Sequence, residues 1–121
     1  MKKLLIVIIT VLFFSSNVQS EITADTYLKV REGNNEKEKK FVRDHIMGIA
    51  TGVFWTNTYL YSKKMDEVFC SPDNMVLNTE NYVNFLDREI EYRKKVGAYD
   101  GKDPIAMMIL LHLVDVFPCK K

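Results

Sequence analysis

The sequence predicts an all-α protein: a small single-domain helical bundle of about four helices with one disulfide. Three observations predict it. Apolar residues recur at helical spacing through most of the chain. Only three prolines and five glycines punctuate 121 residues, and no repeat or low-complexity tract interrupts them. Cys70 and Cys119 are the only cysteines, and the chain opens like an exported one.

The first element is an address rather than a fold element. Lys2 and Lys3 precede an apolar run from Leu4 to Phe14, followed by Ser15, Ser16 and Asn17. This is the order of a cleavable secretory signal peptide. The run is too short for a membrane span, which needs about 20 residues. Val18-Gln19-Ser20 suits cleavage after Ser20, so residues 1–20 are expected to be the signal and residues 21–121 the mature domain. The formal net charge of +1 then becomes −1, since Lys2 and Lys3 leave with the signal. A balance this close to neutral argues against nucleic-acid binding, whose affinity rests on neutralised phosphates. About 100 residues can bury a core with thin reserves. In an oxidising compartment an intramolecular Cys70–Cys119 bridge is the economical pairing, free or intermolecular thiols being the alternative.

A short helix is expected over Ala24–Arg31, stopped by Gly33-Asn34-Asn35. Asn35 is positioned to cap a second helix, with Glu38 three residues on. From Phe41 to Tyr61 this helix is apolar on every side, the pattern of a buried central helix. Gly48 and Gly52 lie four apart on it. Each costs about 1 kcal/mol relative to alanine, and the expected return is close packing of another helix backbone; a ligand groove is the functional alternative.

Ser62–Leu77 reads as irregular, with Phe69-Cys70-Ser71-Pro72-Asp73-Asn74 as an extended turn. Asn78 or Thr79 can cap a third helix over Glu80–Lys95. Its core stripe is Tyr82 or Val83, Leu86, Ile90 and the stem of Arg93. Asp87, Arg88, Glu91 and Lys94 face water. After a loop at Gly97–Lys102, Asp103 followed by Pro104 reads as a cap and first helical residue. The last helix, Ile105–Val116, is almost wholly apolar and too short to span a membrane.

Little in this pattern carries catalysis. His45 and His112 lie on apolar helices, where a core histidine is the economical reading; two ligands fall short of a zinc site. Carboxylates pair at Asp66 and Glu67, Asp87 and Glu91, and Asp100 and Asp103, all in solvated stretches. No catalytic residue, metal site or cofactor is expected. Tyr92 and Tyr99 flank Arg93-Lys94-Lys95, and tyrosine and arginine are frequent interface anchors.

The segment His45-Ile-Met-Gly-Ile-Ala-Thr-Gly, the Phe69-Cys70-Ser71-Pro72 turn, the capped amphipathic helix and the terminal Phe117-Pro118-Cys119 together resemble the Rap1a/Tai immunity proteins of bacterial type VI secretion systems. The resemblance covers roughly residues 26–120. Many members carry a further cysteine pair, and Val30 and Val42 stand at those places. The resemblance implies a periplasmic inhibitor, not an enzyme, whose partner is a cognate peptidoglycan amidase effector. It also implies that a homodimer is open to it. Asp73, Asn74, Tyr92 and Tyr99 are the expected effector contacts, because their loops protrude between helices. The rival expectation is a periplasmic acid-stress chaperone resembling HdeA, with the last helix as the released surface. A third is a metal-dependent enzyme or small-molecule binder using His45 and His112.

Overall fold

Thr23 caps the first helix, α1 (Ala24–Glu32): its hydroxyl accepts the Thr26 N–H. A computed structural model describes residues 21–72 and 75–120. The expected signal peptide and cleavage site, with Asp73 and Asn74, lie outside the described residues. Four helices make up the described fold: α1, α2 (Glu36–Ser62), α3 (Thr79–Val96) and α4 (Ile105–Val116).

Their ends follow local chemistry. Asp25 in the first turn of α1 and Lys29 and Arg31 in its last turn complement the helix dipole. Asn35 caps α2 as the sequence predicts, its Oδ1 accepting the Lys37 and Glu38 amides at 3.1 and 3.4 Å. Asn78, not Thr79, caps α3, and Asn81 reciprocates by accepting the Asn78 N–H at 2.8 Å. Gly97 closes α3 in the left-handed conformation at φ 73°, and the Ala98 N–H reaches back to the Arg93 carbonyl.

The start of α4 departs from expectation. Asp103 does not cap it. Its carboxylate is taken by Arg93 Nη1 at 2.7 Å, and its carbonyl accepts the Ala24 N–H at 2.9 Å. The Ile105 N–H donates instead to the Ile22 carbonyl at 3.0 Å. A strap at the head of α1 thus does the work of a cap, and it holds the two ends of the domain together.

The core gathers Ala24 and Tyr27 from α1, Val42 and Ile46 from α2, Leu86 and Ile90 from α3, and Ile105, Met108, Ile109 and Leu113 from α4. Phe69, from the irregular segment, joins them.

Two burial expectations are corrected. α2 is not buried all round: Phe41, Met47, Phe54, Trp55, Tyr59 and Tyr61 are exposed. Three partner helices touch only one side of a 27-residue helix, and no described residue covers the other. The close-packing role expected of Gly48 and Gly52 fails for the same reason. Both are exposed, and a Cβ added to either would meet nothing within 4 Å. α4 is likewise buried on one side only, with Met107, Leu111, Val114 and Val116 reaching solvent.

Candidate protein-binding face

The site is built from the buried Asn57 outward. On the inner side of α2 its Nδ2 donates to the Phe69 carbonyl at 2.6 Å, and its Oδ1 accepts the Val68 N–H at 2.9 Å. One side chain therefore satisfies a donor and an acceptor of a segment with no secondary structure of its own. Phe69 inserts its ring into the core beside this clamp. The next residue is covalently fixed: Cys70 and Cys119 form a disulfide with their Cα atoms 4.9 Å apart. The Cys70 N–H also donates to the Phe117 carbonyl at 2.8 Å. Phe117 meets Phe85 edge to face, ring centroids 6.0 Å apart. Phe69, Cys70, Phe117 and Cys119 thus form one anchor, while Pro72 and Pro118 stand exposed at its margins.

Between this anchored segment and α2 runs an open groove. One part, of about 520 Å³, is lined by Met47, Ala50, Thr51 and Phe54 of α2, by Phe69, Ser71 and Met75–Thr79, and by Tyr82. The other, of about 680 Å³, continues past Phe54 to Asn57, Thr58 and Tyr61, opposite Glu67–Pro72 and Met75. Its rim carries Val76, 87% exposed, and Met75. An open groove with an exposed apolar rim makes this face the candidate interaction surface.

The other residues singled out from the sequence lie elsewhere. Tyr92 is exposed on α3. Tyr99 is not free: its hydroxyl donates to Asp25 at 2.7 Å, and Lys94 Nζ lies 5.0 Å from its ring centroid. Desolvation, and then the Asp25 carboxylate beside it, push its phenol up to about 12. This tyrosine ties the α3–α4 loop to α1. His112 sits at the α3–α4 contact, Nδ1 3.4 Å from Glu89 Oε2 and its ring against Phe85. His45 lies apart on α2, and its buried Nε2 has no hydrogen-bond partner among the described residues. No group of three or more His, Cys, Asp or Glu is placed to hold a metal among the described residues.

Sequence reasoning missed two features. Glu89 is buried, its Oε1 accepting from Arg93 Nε at 2.8 Å. With Asp103 and His112 it forms a polar strut between α3 and the α4 end of the core. Position 89 lies three after Leu86 and one before Ile90, so helical spacing already placed it inward. Asp87, expected to face water, accepts from the Tyr27 hydroxyl at 2.7 Å and pairs with Arg31. Burial, then Asp87, push the Tyr27 phenol well above its ordinary value.

Compared with known proteins, the chain matches no family model, no curated protein and no solved structure.

Proposed function

We propose that the protein is a periplasmic immunity protein that binds and blocks a peptidoglycan amidase effector of a type VI secretion system. The observation that carries the binding part is the groove between α2 and the chain at residues 67–72 and 75–79. Three restraints hold residues 68–70: the Asn57 clamp, the Cys70–Cys119 bridge and the buried Phe69 ring. A segment already ordered before binding loses little entropy on binding, which is what an inhibitor needs. The resemblance to the Rap1a/Tai proteins supplies the class of partner and the compartment. The segment flanking Asp73 and Asn74 is the first candidate contact, and Tyr92 supplies a second exposed side chain. Tyr99 acts as a brace rather than an anchor.

An acid-stress chaperone works by releasing apolar surface at low pH. Here a large apolar face already stands open in the folded chain, which favours the inhibitor reading. Co-purification with an amidase encoded beside this gene, and rescue of cells expressing that amidase in the periplasm, tests the proposal. Val76→Asp, at the exposed rim, abolishes both while leaving the fold intact. Wild-type protein that neither binds nor protects against such an amidase refutes it.

A further inference from the structure

A second pocket lies towards the start of α2 and shares no lining residue with the groove. It opens where α1, α2 and α3 meet, and its volume is about 190 Å³. Val30, Val42, Ile46 and Val83 form its apolar floor, with the buried Tyr27 beside them. Three cations complete it: Arg31 from α1, and Lys39 and Arg43 from α2. Among the described residues no carboxylate lines it. The acids that pair with these cations, Asp87, Glu36 and Glu80, all stand outside the lining. The charges are therefore sorted, with the cations around the pocket and the acids beyond them.

We propose that this pocket binds a small amphipathic anion, a carboxylate carried on an apolar body of about six carbons. A concave apolar site with a few convergent polar groups is the usual form of a small-ligand pocket. The size of the body follows from the volume, since an apolar cavity of about 150 Å³ takes up benzene. The head follows from the charge. Arginine meets a carboxylate through paired N–H groups, which fixes its direction as well as its place. The existing ion pairs do not close the site. Arg31 meets Asp87 through Nη1, and Arg43 meets Glu80 through Nη2. A guanidinium has five N–H groups to share. Both arginine side chains are half-exposed, and surface pairs of this kind hold weakly. The floor decides against a bare inorganic anion, which gains nothing from four aliphatic side chains. A free acid and the C-terminal residue of a peptide both present this chemistry.

The test uses protein purified from cells expressing the full chain, with methyl-labelled valine and isoleucine. Isocaproate stands for the free acid and N-acetylleucine for the peptide end, and the amide of each is its uncharged control. Both acids shift the methyl signals of Val30, Val42, Ile46 and Val83 and leave those of Val76 and Val114 in place. Their dissociation constants fall at about 0.1–1 mM. Acetate, which keeps the head and loses the body, binds roughly tenfold more weakly or worse. Each amide binds roughly tenfold more weakly than its acid. Arg43→Gln removes that preference. Glu80→Gln, which frees Arg43 from its present partner, strengthens acid binding about twofold. Circular dichroism and melting confirm that both variants fold. Tighter binding of N-acetylleucine than of isocaproate assigns the site to a peptide end, and equal or weaker binding assigns it to a free acid. No methyl shift with either acid at about 10 mM overturns the proposal. So do amides that bind as tightly as their acids, and an acid preference that survives Arg43→Gln. Such a failure leaves the groove and its partner untouched, because the two sites share no residue.

Discussion

Asn57 carries more of the site than any catalytic-looking residue does. Its two amide atoms satisfy the Val68 N–H and the Phe69 carbonyl. Asn57→Ala strands both groups beside the core, at about 1–3 kcal/mol for each buried polar group left unpaired. We expect urea denaturation to place the variant about 3 kcal/mol below the wild type, and the 67–72 amides to lose hydrogen-exchange protection first. Tyr99 gives a pH dependence. Its phenol is raised in the folded chain to about 12 from an ordinary 10, by desolvation and then by Asp25. A raised acid binds its proton more tightly when folded, so its contribution is complete below pH 10 and is lost as pH climbs towards 12. Tyr27 adds to the same trend. Melting temperature should therefore fall across this window, and less steeply in Tyr99→Phe. A melting temperature flat from pH 9 to 12 contradicts the assignment.

Among the helices, what could be read from sequence divides along a physical line. The Asn35 cap, the irregular segment after Ser62 and the apolar last helix depend on neighbouring residues, and they lie where the sequence puts them. The cap of α4 does not, because the partner that satisfies Ile105 is Ile22, across the fold. Burial of α2 also depends on the rest of the molecule. Apolar residues on all sides told of its composition, but only the number of partner helices decides which sides are covered. The glycines sharpen the point. Gly48 and Gly52 lie in open helix, so Gly48→Ala and Gly52→Ala should each stabilise the folded chain by about 1 kcal/mol. Gly97, at φ 73°, should behave oppositely. Gly97→Ala forces a Cβ into the left-handed region and costs about 1 kcal/mol. Denaturant midpoints separate the two signs.

At the scale of the whole molecule, the two cysteines join parts that little else joins. Cys70 lies in a segment without secondary structure, and Cys119 lies just past the last helix. Their spacing of 49 residues closes a loop that contains α3 and α4. In the chain-entropy account, closing such a loop stabilises the fold by about 4 kcal/mol. That is a large share of the roughly 5–15 kcal/mol typical of a domain. The core does not depend on the bridge alone: Phe69, Phe117 and the Cys70–Phe117 backbone bond still tether the segment. The double variant Cys70→Ser, Cys119→Ser should therefore fold with its helices intact but lose about 4 kcal/mol in denaturant, reproduced by reducing the wild type. The groove should suffer more than the helices, since one of its walls is the released segment. Binding at that wall then weakens even under conditions where circular dichroism is unchanged. Stability equal to that of the oxidised protein would mean that the tethers suffice without the bridge. Loss of all helical signal would mean that the segment is part of the folding core.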